Sequence, residues 1–312
     1  MTDLVVGADI GGTSTRVGVA DLGGGILSLA TGGPGNPNSV GVAESAAQIS
    51  AVVDSALATV AGTVVAVVIG LAGGSRAATD KSFLRHALPE HLAVRPVLVS
   101  DVTVAFCSAT PATAGYAVVA GTGAVAGHVV DDELVEQRDG WGWLLGDDGS
   151  GFWLGRAAVR ATLHTLQREL PLGALQRAVL VAAEASDYAG LLQNCYRATP
   201  TWVAQFAPLV TVHAERDPVA AAIADQAADL LAEAVLSLDP VPDEPIVLGG
   251  SVLTTSGPVS RGFRTRIAAR LPNTLLRSTS GVIGALWIGT RARVLNEPAV
   301  HARLVATAEG LL

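Results

Sequence analysis

Two segments of this chain, more than one hundred residues apart, repeat one pattern of strand, glycine and threonine turn, and second strand. Apolar runs and alternating residues predict strands at 3–8, 14–20 and 26–30, and again at 116–119, 124–130 and 133–136. The first set is followed by a predicted helix at 42–61 and a buried strand at 64–69. Two similar halves of the βββαβα type, facing each other across a cleft, would explain the repeat, so the predicted fold class is α/β.

The turn within Gly7–Arg16 (GADIGGTSTR) has the composition of a phosphate-binding loop. Its glycines permit positive φ and let backbone N–H groups approach a phosphate closely. We expect phosphate contacts at both turns, from Gly11, Gly12, Thr13, Ser14 and Thr15 and from Gly121, Thr122 and Gly123. Asp9 precedes the first turn and is placed to hold a hydrated Mg²⁺. An ordinary β-hairpin is the alternative for the first turn taken alone.

The length of 312 residues exceeds the usual size of one hydrophobic core, so we predict two domains. The first is placed at 1–112, joined by a C-terminal helix at about 296–312, and the second at 113–295 with a helical insertion. The net charge is −8, and Lys81, near a predicted surface turn, is the single lysine. This balance argues against a nucleic-acid partner, which needs a basic surface.

Three further observations bear on location. The uncharged stretch Ser55–Ser75 is interpreted as the end of a helix followed by a buried strand, so no membrane span is expected. The segment MTDLVV has no basic region before its apolar residues, so we expect no signal peptide. Cys107 and Cys195 lie far apart and suggest no disulfide framework, which fits a reducing cytoplasm.

Asp101 is the candidate catalytic residue. It follows a predicted strand at 96–100, and ligands of α/β folds bind at the carboxyl ends of strands. A carboxylate there can accept the proton of a hydroxyl that attacks the γ-phosphate of a nucleotide. The alternative is that Asp101 caps the helix that follows.

Five elements stand in the order found in the superfamily of sugar kinases, actin and heat-shock ATPases. They are Asp9–Thr15, Gly70–Gly73, Asp101, Gly121–Gly123 and Leu248–Ser251. The chain resembles this superfamily over nearly its whole length. The resemblance implies two ribonuclease-H-like (actin-like ATPase) domains with an ATP and sugar cleft between them, and ATP and Mg²⁺ as cofactors.

The most specific segment is 140–155, GWGWLLGDDGSGFWLG. It resembles the signature G-W-G-x-x-x-G-D-E-G-S-x-x-W of N-acetylglucosamine kinases in the BadF/BadG/BcrA/BcrD ATPase family, with Asp148 where the family usually has Glu. The resemblance implies a cytoplasmic homodimer that phosphorylates the 6-hydroxyl of a small-molecule amino sugar, N-acetylglucosamine. Glucosamine, N-acetylmannosamine and N-acetylmuramate are alternatives, because kinases for these sugars share the motifs.

The resemblance also implies roles for individual residues. Asp101 would be the general base. Sugar contacts are implied for Asn36 (with Asn38 as a rival), Asp101, Ala124, Val125, Gly140, Trp141, Gly142 and Asp147. Gly249, Gly250 and Ser251 would lie under the adenosine. The sequence has no P-loop lysine motif, so Mg²⁺ and backbone donors would offset the phosphate charge.

Related classes of protein are the competing interpretations. The ROK-type sugar kinases carry a cysteine-rich zinc motif and an E-x-G-H element, and this sequence has neither. Dehydratase-activating ATPases bind an iron–sulfur cluster through cysteines at a subunit interface, and Cys107 and Cys195 match no such pair. An activator ATPase is therefore the second functional class, and an actin-like scaffold protein the third.

Overall fold

The computed structural model describes residues 2–73, 86–295 and 297–309. Lys81, predicted near a surface turn, lies outside these residues. By density of contacts the chain forms two compact units. The first unit contains Met1–Ala117, His128–Val135 and Leu276–Leu312, and the second contains Val118–Gly127 and Glu136–Leu275.

The strands and helices follow in chain order. The strands are β1 (Asp3–Ile10), β2 (Thr15–Asp21), β3 (Ile26–Gly32), β4 (Thr63–Leu71), β5 (Val97–Ser100), β6 (Ala114–Ala120), β7 (Ala124–Val130), β8 (Glu133–Asp139), β9 (Ile246–Gly249) and β10 (Leu275–Arg277). The helices are α1 (Pro37–Val40), α2 (Val42–Leu57), α3 (Asp101–Ala109), α4 (Gly151–Gln167), α5 (Ala174–Ala182), α6 (Tyr188–Arg197), α7 (Ala207–His213), α8 (Pro218–Leu236), α9 (Ser251–Thr254), α10 (Pro258–Ala268), α11 (Gly281–Arg291) and α12 (Glu297–Glu309). A 3₁₀ segment, Pro200–Phe206, precedes α7.

Two five-stranded sheets have the same strand order. The first is β3-β2-β1-β4-β5, and the second is β8-β7-β6-β9-β10 when given from its other edge. In the first sheet, β1 and β2 pair antiparallel, as do β2 and β3, whereas β1–β4 and β4–β5 are parallel. The shared order confirms the predicted repeat and the α/β fold class.

Helices cover both faces of the first sheet. Apolar residues of α2, such as Ile49 and Val53, pack with those of β1, β2 and β4 in one buried cluster. On the other face, Ala285 of α11 packs with Val68 and Val104. A β-carbon on Gly284 would collide with the backbone of Val104, so this glycine lets α11 approach α3 closely.

One helix and one strand differ from the sequence prediction. Residues 281–291 fall within the predicted second domain at 113–295, whereas α11 belongs to the first unit because it packs on β1, β4 and α3. The strand β10 was not predicted, since three residues are too few to show a period.

Within the uncharged stretch from Ser55, α2 ends at Leu57 and β4 begins at Thr63. Among the described residues, no helix combines the length and apolar character that crossing a bilayer requires.

Candidate active site

The predicted phosphate turn of the first unit is a tight loop between β1 and β2. The N–H of Gly11 donates to the carbonyl of Ser14 (2.9 Å), and the Gly11 carbonyl accepts from the N–H of Asn36 (3.2 Å). Gly12 and Thr13 are exposed. Thr15 is fully buried at the start of β2, and its hydroxyl faces Gly35. The structure therefore offers residues 12–14 to a ligand, and Thr15 belongs to the core beneath them.

Asp9 lies at the end of β1, against the first residue of α11. A β-carbon on Gly281 would come within 2.6 Å of Oδ2 of Asp9, so the carboxylate occupies the place of a side chain at this helix terminus. Burial raises the pKa of Asp9, and the positive charge of Arg16 partly offsets the shift. Among the described residues, no group of three His, Cys, Asp or Glu could hold a metal directly. A single carboxylate fits a hydrated Mg²⁺, which keeps most of its waters.

Asn36 and Asn38 have different surroundings. Asn36 is buried, its amide donates to the carbonyl of Ala72 (2.8 Å), and its Oδ1 accepts from the N–H of Asn38 (2.9 Å) as the N-cap of α1. The Asn36 side chain thus ties its loop to the end of β4. Asn38 is exposed on the same loop, near Gly73.

Asp101 is the first residue of α3, directly after β5. The N-cap of this helix is Ser100, whose hydroxyl accepts from the N–H of Thr103 (3.0 Å). The alternative that Asp101 caps the helix is therefore wrong. Oδ1 of Asp101 accepts from the N–H of Val102 (3.1 Å), and the residue is half-buried.

The second predicted phosphate turn, Gly121–Gly123, is fastened to the start of α4. The N–H groups of Gly151 and Phe152 donate to the carbonyls of Gly121 (2.8 Å) and Thr122 (3.1 Å). Ser150, fully buried, caps α4 by accepting from the N–H of Trp153 (3.1 Å). The helix therefore fixes the turn through its carbonyls, and Thr122 remains exposed.

The segment from Gly140 to Asp147 lies beside this turn. Gly140 and Gly142 have φ of +72° and +87°, and Gly140 packs on Val125. The carboxylate of Asp147 lies against Gly123 and accepts backbone hydrogen bonds from Ala124 and Gly142. Burial, followed by the charge of Asp139, raises the pKa of Asp147. The structure thus brings the predicted sugar-contact residues of the second unit together, while the Trp141 side chain is 67% exposed.

A cavity of about 300 Å³ lies in the second unit next to the Gly121–Gly123 turn. Three of the predicted nucleotide contacts, Gly121, Thr122 and Ser251, line it, and their role in binding stays a prediction. Gly249 and Gly250 do not line it: Gly249 is buried in β9, and Gly250, with φ of +75°, lies against the backbone of Ala120. The remaining lining residues were not predicted. Gly151 and Leu154 lie in segment 140–155 but had no role assigned, and no motif marks the others: Ala204, Ala207, Pro208, Thr211, Val212, Val252, Thr255, Ser256, Gly257 and Val259.

A sequence profile of the BadF/BadG/BcrA/BcrD ATPase family matches residues 6–289. The chain belongs to this family. The resemblance drawn from segment 140–155 is thereby confirmed, and the match covers both units.

Two curated relatives of this chain are sugar kinases. An N-acetylmuramic acid/N-acetylglucosamine kinase of Clostridium acetobutylicum is 25% identical over 63% of this chain and 65% of its own length, just under two thirds of it. An N-acetyl-D-glucosamine kinase of Dictyostelium discoideum is 25% identical over 89% of this chain and 94% of its own length. A solved structure from Chromobacterium violaceum, a structural-genomics target assigned as an N-acetylglucosamine kinase, is 27% identical, with a TM-score of 0.75 over 91% of this chain and 98% of that one.

Proposed function

We propose that this protein transfers the γ-phosphoryl group of ATP to the 6-hydroxyl of N-acetylglucosamine, with Asp101 as the general base. The protein is a phosphotransferase with an alcohol acceptor. The observation that carries the proposal is the carboxylate of Asp147 set against the Gly121–Gly123 turn, because it joins a hydroxyl-binding group to a phosphate-binding turn. N-acetylglucosamine is preferred because both curated relatives are named for its phosphorylation.

The nucleotide is proposed to bind in the cavity of the second unit. Its volume of about 300 Å³ is at the lower end of small-molecule sites. The base and ribose would lie among the side chains of α7 and α9, with the phosphates toward Gly121–Gly123. Asp9 would hold Mg²⁺ through water, and the ion when bound would neutralise phosphate charge and orient the γ-phosphate. This arrangement needs no P-loop lysine.

Asp101 is proposed to accept the proton of the attacking sugar hydroxyl. Its place at the start of α3, directly after β5, sets the carboxylate at the carboxyl end of a sheet strand. A positioned general base contributes roughly 10²–10⁴-fold to such reactions.

Several residues are proposed to contact the sugar. Asp147 would accept hydrogen bonds from hydroxyl groups, and the backbone of Gly140–Gly142 would meet the 2-substituent, near Ala124 and Val125. In the first unit, Asn36 could use the amide N–H that it does not give to Ala72, whereas Asn38 could use its whole exposed side chain. The two residues therefore remain alternatives for this contact.

An activator ATPase with an iron–sulfur cluster is less well supported. Cys107 is buried in α3 and donates from Sγ to Asp132 (3.5 Å), and burial with the Asp132 charge raises the pKa of its thiol. A thiolate ligand is disfavoured in such surroundings. Cys195 lies in α6, a helix of the second unit.

A coupled ADP-release assay over a panel of hexosamines tests the proposal. The panel contains N-acetylglucosamine, glucosamine, N-acetylmannosamine and N-acetylmuramate, and we expect the highest kcat/KM with N-acetylglucosamine. Asp101→Asn should lower kcat roughly 10²–10⁴-fold. The matched control is Ser100→Ala, which removes the helix cap at about 1 kcal/mol of stability but leaves the base. ATP turnover that no sugar stimulates contradicts the kinase, and a fully active Asp101→Asn variant contradicts the base.

The resemblance also leads us to propose a cytoplasmic homodimer. Light scattering of the purified protein at micromolar concentration tests the dimer, and a monomeric mass would contradict it.

A further inference from the structure

The carboxylate of Asp139, the last residue of β8, holds two neighbouring backbone amides. Its Oδ1 accepts from the N–H of Asp147 (2.8 Å), and its Oδ2 accepts from the N–H of Asp148 (2.7 Å). Hydrogen bonds from backbone N–H groups to a carboxylate are among the stronger ones in proteins. Asp139 therefore closes the segment 140–146 into a loop whose two ends are joined by one side chain.

The surrounding backbone is adapted to this carboxylate. Asp139 and Asp147 both have positive φ, of 59° and 60°. A β-carbon on Gly146 would collide with Oδ1 of Asp139, so glycine is required where the loop passes the carboxylate. Aspartate tolerates this left-handed conformation, and the glycine at 146 leaves room for the carboxylate of Asp139 beside the loop.

The result is a fixed position for Asp147. With its N–H bound to Asp139, the Asp147 side chain lies against Gly123 and accepts from Ala124 and Gly142. The same Gly121–Gly123 turn is fastened to α4 by the amides of Gly151 and Phe152. Asp139 therefore connects the predicted sugar loop to the predicted phosphate turn.

Two other carboxylates lie near Asp147. Among the described residues, the charged neighbours that affect Asp147 are Asp139 and Asp148, and both raise its pKa. Burial and the charge of Asp139 raise the pKa of Asp148, and the positive charge of Arg156 partly offsets the shift. A neutral asparagine could accept one of the two amides without repelling Asp147. Asp139 therefore holds both amides and at the same time places a second negative charge near Asp147, which raises the pKa of Asp147.

We propose that Asp139 is a positioning residue for acceptor recognition: it orients Asp147 toward the sugar hydroxyls and keeps Asp147 in register with the Gly121–Gly123 turn. This inference rests on the proposed kinase function. Asp139 itself contacts neither substrate in the proposed arrangement and acts through Asp147.

Asp139→Asn tests the inference, with Asp187→Asn as matched control. Asp187 also accepts a backbone amide in an exposed turn, from Gly190 (2.8 Å), but it caps α6 and takes no part in the loop. Asparagine has one acceptor oxygen, so one of the two amides loses its partner in Asp139→Asn. We expect the KM for sugar to rise about tenfold or more, and the KM for ATP to stay within about twofold. Asp187→Asn should change neither value.

Two further measurements separate positioning from a general loss of structure. Removing the negative neighbour lowers the pKa of Asp147, so the acid limb of kcat/KM for sugar should move to lower pH in Asp139→Asn. Gly146→Ala keeps the charge but displaces the carboxylate from the amides, so it should raise the KM for sugar without moving the limb downward. Amide exchange at Asp147 and Asp148 should accelerate in both variants.

The outcomes distinguish the two proposals. An active wild-type protein whose KM for sugar is unchanged in Asp139→Asn, or whose acid limb does not move, overturns the role of Asp139 alone. A wild-type protein without sugar-stimulated turnover overturns the kinase proposal, and the role of Asp139 in acceptor recognition with it.

Discussion

Replacing Gly250 with alanine tests how the turn after β9 shapes the cavity that is proposed to bind the nucleotide. Gly250 has φ of 75° and ψ of 152°, and a β-carbon there would collide with the carbonyl of Ala120 and come within 2.7 Å of the N atom of Gly121. The next residue, Ser251, lines the cavity. The substitution therefore strains the backbone and pushes two walls of the cavity apart.

The expected magnitude has two parts. The backbone conformation is essentially restricted to glycine, and an alanine there costs about 1–3 kcal/mol. Overpacking against backbone atoms, which cannot rotate away, costs about 1–3 kcal/mol more. The free energy of unfolding should fall by about 2–6 kcal/mol in total.

Gly41→Ala is the matched control. Gly41 has nearly the same dihedral angles, φ of 85° and ψ of 158°, but a β-carbon there would meet nothing within 4 Å. It should therefore lose only the backbone part, about 1–3 kcal/mol. Urea unfolding should be followed for the transition of the unit that carries each substitution, since the two units can unfold separately.

The same two variants should differ in activity. Gly250→Ala displaces Ser251, so the KM for ATP should rise while the KM for sugar is retained, and Gly41→Ala should leave the KM for ATP unchanged. A Gly250→Ala variant that is no less stable than Gly41→Ala would refute the steric reasoning.

Three more outcomes follow from the described contacts. Asp132→Ala removes the carboxylate that lies 2.7 Å from the guanidinium of Arg291, whose side chain is 11% exposed. Urea unfolding should therefore show a free energy of unfolding lower by about 3–5 kcal/mol, and the double variant Asp132→Asn/Arg291→Met should lose less. In the proposed function, ionised Asp147 accepts the sugar hydroxyls, so sugar affinity should be lost as pH falls through its pKa, which is raised above the ordinary value of about 4. A flat KM for sugar from about pH 4 to about pH 8 would contradict this. Among the described residues, the polar side chains that line the cavity are the hydroxyls of Thr122, Thr211, Ser251, Thr255 and Ser256. A hydroxyl can donate or accept a hydrogen bond, so kcat/KM for ATP and GTP should agree within about tenfold. A larger preference would show that backbone groups recognise the base.

Local chemistry explains which parts of the fold were predictable. The predicted strands at 124–130 and 133–136 leave only Asp131 and Asp132 between them, and both residues have positive φ, a conformation that aspartate tolerates in hairpins. Ser150, a residue type favoured at helix starts, caps α4 with its hydroxyl. In each case the determining interaction lies within a few residues of sequence.

Features set by distant packing were not predictable. The assignment of α11 to the first unit depends on glycines that meet α3 and β1 across the fold. The structural role of Asn36 depends on a carbonyl 36 residues away, at Ala72. The role of Asp139 depends on two amides in a loop whose sequence shows only the glycines. Periodicity and motif matching contain no information on such pairs, because they follow from tertiary contacts.

The position of α11 has a consequence for biosynthesis. On the ribosome, β1, β4 and α3 emerge well before residues 281–291, and the whole of the second unit is made in between. Until α11 arrives, Val68 and Val104 lack their packing partner Ala285, and among the described residues only α3 covers this face of the first sheet. We therefore expect the nascent first unit to expose apolar surface while the second unit is being made, which favours aggregation. A codon-dependent pause placed between β10 and α11 should lower the yield of folded protein more than one placed after α12.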